Sequence, residues 1–149
     1  MARKEIARTI HAPTAFVFKT VADPVHFAQA ISGVTKIEFL SSTKCGLGTR
    51  FRQSRVLNGK EMTLDFDVID YAENERVRIV NEVHGTRWDS VITLTPSNTS
   101  TNLTMRMDTK TRPLVPRLIM PLVLRLFIRK AVEKDLDAVK AFCEKESAG

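Results

Sequence analysis

The residues best placed to do chemistry are polar side chains set among apolar ones at alternate positions. Asn81 alternates with Ile79 and Val83, Ser90 with Trp88 and Ile92, and Gln53 and Arg55 with Phe51. Residues two apart on an extended strand share a face. Each of these groups is therefore expected on a face that is otherwise apolar. A few placed polar groups on an apolar lining is the make-up of a small-molecule site. Arg55 suits a ligand carboxylate or enolate, and Asn81 and Ser90 are candidate ligand contacts. Each also has an ordinary explanation: an Arg at a strand end reaching solvent, or an amide and a hydroxyl bonded to backbone or water.

Other chemistries find little support. His11, His26 and His84 fall in separate segments, each at the end of an expected strand or helix. No Gly-x-Ser-x-Gly elbow is present, and neither a P-loop nor a dinucleotide fingerprint. No two His or Cys residues have ligand spacing, so neither a metal nor a cofactor is expected. Asp65 and Asp67 lie on the polar face of their strand, where cross-strand partners such as Arg52 and Arg78 account for them. Asp135 sits on the edge of a helical stripe and reads as an interface residue bonded to the first short helices.

The elements that must position these groups follow from periodicity. Glu5 to His11 alternates as a first strand. Two short helical pieces follow, one carrying Phe16, Val17, Thr20 and Val21, and one from His26 to Ile31, separated by Asp23-Pro24. Six strands come next, with Asn58-Gly59 the strongest hairpin signal, since both residues tolerate positive φ. Met62, Leu64, Phe66 and Val68 share a face. So do Trp88, Ser90, Ile92 and Leu94, and likewise Leu103, Met105 and Met107. Short connections favour an antiparallel meander, with one side of the sheet toward water. Pro113 to Glu146 is the one long stretch of helical periodicity. Leu124, Ile128, Val132, Leu136, Val139, Phe142 and Cys143 form its apolar stripe, and Lys134, Asp137, Lys140 and Glu144 its far side. That stripe must cover the sheet.

Composition sets bounds. The 149 residues suffice for a single domain with its own core, and 43% hydrophobic with 27% charged content is ordinary for a soluble protein. No apolar run is long enough to span a membrane. The first residues run into a strand rather than an apolar signal region. Two isolated cysteines, Cys45 and Cys143, suggest free thiols. A cytoplasmic location is the expectation, peripheral to a membrane if the basic helix start docks there. The net charge of +6 is concentrated. Lys110, Arg112, Arg117, Arg125, Arg129 and Lys130 lie in a segment without acids. A solvated face explains it most simply. An acidic lipid surface or an acidic protein partner are the sharper readings, and nucleic acid is not expected.

The order of elements resembles the helix-grip fold of the START/Bet v 1-like (SRPBCC) superfamily. More narrowly, the chain is similar to the polyketide cyclase/dehydrase and carbon-monoxide-dehydrogenase-subunit-G-like group. The residues that carry the likeness begin with Ile10-His11-Ala12-Pro13, Val17-Phe18 and Asp23-Pro24. They continue with Gly46-Leu47-Gly48-Thr49-Arg50, Asn58-Gly59, Trp88 to Pro96, and Thr101-Asn102-Leu103-Thr104. They end with Lys134 to Lys140 in the final helix. The resemblance implies an α+β fold, a curved antiparallel sheet of about seven strands around a long C-terminal helix, with an apolar cavity between. It implies a ligand of the lipid, sterol, quinone or polyketide class, and in some members cyclisation or dehydration. It brings no catalytic motif.

These readings combine into explicit expectations. The ligand-binding candidates are Arg55, Leu64, Phe66, Asn81, Trp88, Ser90, Met105, Leu124 and Ile128. A second surface, opposite the stripe in the first half of the long helix, sets Ile119, Leu122, Val123 and Leu126 beside Arg117, Arg125 and Arg129. An apolar patch flanked by basic residues suits a membrane surface or a docked protein. Three functions follow: binding of a small hydrophobic molecule, a cyclase/dehydratase-type enzyme with Arg55, Asn81 and Ser90 orienting substrate, or a docking module.

Overall fold

A computed structural model describes residues 2–83, 85–111 and 122–148, with side chains over 4–83, 85–110 and 128–147. The elements are β1 (Ala2–Ile10), α1 (Thr14–Ala22), α2 (Pro24–Ala30), β2 (Val34–Phe39) and β3 (Arg50–Leu57). After them come β4 (Lys60–Ala72), β5 (Arg76–Val83), β6 (Thr86–Ser97), β7 (Ser100–Thr111) and α3 (Leu122–Ala148). The order matches the expectation. The described part of the long helix begins after Pro121, and the stretch from Arg112 to Pro121 lies outside the described residues.

Turn chemistry sets the meander. Leu57 pairs with Lys60. Asn58 at φ 50 and Gly59 at φ 77 supply the two left-handed residues that a tight hairpin requires. Val83 pairs with Thr86 across a second two-residue link, and Ser97 with Ser100 across a third, where Asn98 has φ 54. The expected polar turn from Pro96 to Thr101 thus shrinks to Asn98-Thr99, because both strands keep pairing up to it. Asp23 ends α1 and also caps α2: its carboxylate accepts from Val25 N at 2.9 Å and His26 N at 3.3 Å, with Pro24 in the first turn.

The seven strands form one antiparallel sheet in the order β1-β7-β6-β5-β4-β3-β2. β1 and β2 are opposite edges, and α1 and α2 carry the chain between them. One face of the sheet is apolar. Ile6, Ile10, Val77, Ile92, Leu94 and Leu103 are buried there against Val17, Phe18 and Val21 of α1 and Leu136, Val139 and Cys143 of α3. Each such side chain contributes about 1.5–3 kcal/mol on burial. Phe16 stacks on Phe142 at 6.3 Å, and the buried Cys143 thiol donates to Thr20 Oγ1 at 3.5 Å.

The polar flank of α3 is not simply a solvent face. It runs along the edge strand β1. Asp137 accepts from Arg8 Nε at 2.6 Å, Lys140 Nζ donates to Thr9 O at 2.5 Å, and Glu144 accepts from His11 N at 2.9 Å. Backbone groups at the end of an edge strand are thereby satisfied.

The outer face of the sheet is a charge ladder. Arg52 donates to Asp65 at 2.7 Å, as its cross-strand position predicts. Asp67 takes Arg50 at 2.7 Å rather than Arg78, which bonds Asp89 through two nitrogens. Register explains the swap: Arg50 is directly opposite Asp67, while Arg78 lies opposite Asp70.

Candidate functional site

Burial along the inner face is graded. Toward α1 the face is sealed: Val68, Val77, Ile92, Leu94 and Leu103 are buried. Toward the β3–β4 and β5–β6 hairpins it opens. Along β4 the sequence Val68, Phe66, Leu64, Met62 runs from buried through half-buried to 37% exposed. Along β5, Val77 is buried while Ile79, Asn81 and Val83 are half-buried. Along β6, Leu94 and Ile92 are buried, and Ser90 and Trp88 half-buried. Their shared partial exposure defines one zone, and it is the candidate site.

Strand pairing assembles the zone from distant parts of the chain. Asn81 is directly opposite Trp88, Ile79 opposite Ser90, and Ser90 opposite Met107. Gln53 faces Leu64, and Phe51 stacks on Phe66 at 5.2 Å. Of the predicted site residues, Leu64, Phe66, Asn81, Trp88 and Ser90 therefore share one half-buried surface. Met105 lies one row deeper, opposite Ile92 and Ile6. Ile128, on α3, is half-buried. The side chain of Leu124 lies outside the described residues.

Arg55 sits at the rim and is already engaged. Its Nη1 donates to Asp135 Oδ2 at 2.8 Å and its Nη2 to Asp135 Oδ1 at 3.0 Å and to Ser32 O at 2.9 Å. The two side chains are only 12% and 16% exposed. Arg55 Nε is buried and unpartnered among the described residues. Sequence reasoning set Asp135 against the first short helices. It bonds β3 instead, and only the shared arginine reaches Ser32 at the end of α2. Gln53, expected on the inner face but left out of the ligand-binding candidates, belongs to the same face. It is 7% exposed on the inner face, flanked in its own strand by Phe51 and Arg55. Its alternation with Phe51 was the available signal.

Two depressions lie elsewhere. A groove of about 370 Å³ on the outer face is lined by Glu5, Arg76, Val91, Thr93, Thr104 and Arg106. A smaller one of about 260 Å³ lies beside α1, where Cys45 and Tyr71 approach to 3.8 Å. Neither touches the half-buried zone. The groove has Arg76 tied to Asp70 at 2.7 Å. Among the described residues, no set of His, Cys, Asp and Glu is placed to hold a metal ion. No helix among them is long and apolar enough to cross a membrane.

Of the second predicted surface, Arg117 and Ile119 lie outside the described residues. Leu122, Val123, Arg125 and Leu126 lie in α3, with side chains outside the described set. Arg129 is exposed, and its Nε is 3.9 Å from Glu133.

A curved seven-stranded antiparallel sheet closed by a long C-terminal helix, with two short helices after the first strand, is the Bet v 1-like helix-grip fold. Solved structures agree. Ara h 8.0201 superposes with a TM-score of 0.76 at 14% identity, over 95% of this chain and 97% of its own. A START superfamily protein from Mycobacterium smegmatis gives 0.74 at 17% identity, over 96% and 97%. The di-domain ARO/CYC StfQ of the steffimycin biosynthetic pathway gives 0.78 at 12%, over 99% of this chain and 52% of that one. No curated protein matches the sequence significantly. The chain belongs to the family described as polyketide cyclase/dehydrase and lipid transport, whose pattern matches residues 1–144.

Proposed function

We propose that this protein binds one small, largely apolar molecule against the inner face of the sheet, beneath the first half of α3. The observation that carries the reading is the graded burial of that face. Apolar side chains that could have been sealed are left half-exposed, with Asn81, Ser90 and Gln53 among them. Hydrophobic contact supplies affinity, and these neutral polar groups fix orientation. The family description, which includes lipid transport, supports the same ligand class.

A carrier is favoured over a cyclase or dehydratase by the character of the polar groups. The charged side chains described at the rim, Arg55 and Asp135, are committed to each other, and the remaining described groups are amides and a hydroxyl. Proton transfer at a carbon acid needs a base within hydrogen-bond reach of the substrate. The zone's described residues place none there. Protein or membrane docking through the start of α3 would be delivery of that ligand rather than a separate role, and a single-domain, cytoplasmic chain suits it.

The test is a competition panel. The protein is loaded with the apolar naphthalene sulfonate dye ANS and challenged with a fatty acid, a sterol, a quinone and an aromatic polyketide. Displacement by at least one class, with one-to-one stoichiometry in native mass spectrometry, is expected. Turnover of a polyketide into a new product would move the assignment to the enzyme reading. Failure of every class would remove the binding reading.

A further inference from the structure

Gln53 is buried with nothing to bond. The residue is 7% exposed, on the inner face of β3. Its direct neighbours across the sheet are Ile37 of β2 and Leu64 of β4, both apolar and half-buried. Along its own strand, Phe51 and Arg55 flank it on the same face. An amide offers two donor hydrogens and an acceptor oxygen. Among the described residues, that of Gln53 makes no hydrogen bond.

Arg55, two positions on, is in a related state. Its terminal nitrogens are committed to Asp135 and Ser32, and its Nε is buried without a partner. Native interiors leave few polar groups unsatisfied, and each calls for a partner. Here two such groups share one strip of one strand. They differ in access. Among the described residues, the side-chain atoms both fully covered and unpartnered are His26 Nδ1 and Arg55 Nε. The Gln53 amide is not one of them, so its tip keeps contact with open space. The bond it lacks can come from a molecule lying on the half-buried zone.

Charge decides which polar group fits. On sequence alone Arg55 suits a ligand carboxylate, but Asp135 already fills that role through two hydrogen bonds. The pair is neutral as a whole. A second carboxylate seated here would be desolvated without a cation of its own and set close to Asp135, which is costly. A carbonyl or a hydroxyl brings no charge and finds its complement in the amide.

We infer that Gln53 holds the polar end of the ligand, and that this end is a neutral oxygen, a carbonyl or a hydroxyl, rather than a carboxylate. This rests on the binding reading above and names the chemistry of its ligand: an alcohol, ketone or quinone with an apolar body. A buried amide without a partner destabilises the ligand-free protein. The ligand supplies the bond that the fold does not.

The test separates a binding role from a structural one. Gln53→Met keeps the length of the side chain and removes its amide. The urea midpoint of the ligand-free variant is expected at the wild-type value or above it. Binding is read with N-phenyl-1-naphthylamine, a neutral dye without oxygen, displaced at neutral pH by 1-decanol, 2-decanone or decanoate. The substitution is expected to weaken the alcohol and the ketone by about fivefold or more, the worth of one neutral hydrogen bond, and to leave the dye and decanoate within about twofold. A lower midpoint, or a variant that does not fold, would show that the amide serves the fold and would overturn the inference. So would unchanged affinities for the alcohol and the ketone, equal losses for all three competitors, or a dye that neither the alcohol nor the ketone displaces. In each of these cases dye binding by the wild type keeps the site itself standing. A wild-type protein that binds no dye would remove the site and this assignment together.

Discussion

Arg55 and Asp135 stand 80 positions apart in sequence and meet through two parallel hydrogen bonds, at 2.8 and 3.0 Å. The pair joins β3 to the middle of α3, and Ser32 O accepts from the same guanidinium. Desolvating two charges is costly, and a fork-to-fork geometry offsets much of that cost. Removing one partner strands the other. Asp135→Ala and Arg55→Ala should each destabilise the protein by about 2–4 kcal/mol, discounted for partial exposure. Arg55→Met with Asp135→Leu should cost less than the sum of the two alanine variants. Urea unfolding of the singles and the double measures this coupling; additive losses would show that the pair does not act as a unit.

Gly33 has φ +88, and a Cβ there would lie 2.4 Å from Val56 O. That oxygen belongs to backbone, and Gly33 O itself accepts from Val56 N at 2.8 Å, so the contact cannot relax cheaply. Gly33→Ala should lose at least about 2 kcal/mol, from the left-handed φ and the clash together. Gly59→Ala, whose Cβ meets nothing within 4 Å, keeps only the strain of its φ and should lose less. Thermal unfolding of the two variants side by side checks the order.

Tyr71 is the single tyrosine, and its hydroxyl is pushed up to about 12, by burial first and then by Cys45. At pH 11 an ordinary phenol is largely ionised. Tyrosinate absorbance in the folded protein should stay low there and rise when denaturant is added. Cys45→Ala should move ionisation to lower pH. An ordinary titration in the folded state would mean that Tyr71 is not held against α1.

Acid should weaken the ion pairs of the outer ladder and of the α3 flank. Arg76 holds Asp70, Arg52 holds Asp65, Arg78 holds Asp89 and Lys140 holds Glu144 below the usual carboxylate range. A group whose folded pKa is depressed contributes stability above its unfolded value and loses it as pH falls through the folded value. The melting temperature should hold from neutrality to about pH 5 and fall below about pH 4. Asp89→Asn, which removes the most buried of these carboxylates, should flatten that fall.

Much of the fold was legible because local rules decide it. Asn58-Gly59 has one favoured conformation, and alternation at Trp88, Ser90 and Ile92 assigns a face without reference to anything distant. The bulge in β4 was not legible. Glu61 to Tyr71 reads as one unbroken alternation, and only the structure shows Val68 and Tyr71, one even and one odd in number, both packed toward the core with the register shifted between them. The Arg55–Asp135 pair was not legible, since nothing local tells a strand arginine which helix will pass over it. The same holds for the flank of α3. Lys140 and Glu144 look like solvent residues on a helical wheel, and their roles at Thr9 and His11 follow from where the helix crosses the sheet edge.

Trp88 is the only tryptophan and lies on the half-buried inner face, opposite Asn81. Its fluorescence is therefore a built-in reporter of occupancy. On titration with ANS, saturable energy transfer from Trp88 to one dye per chain is expected. Ser90→Arg, which thrusts a long cation onto the same face, should abolish the transfer while circular dichroism and melting temperature show the fold retained. Transfer that never saturates, or that survives Ser90→Arg in full, would contradict a ligand site on the inner face of this sheet.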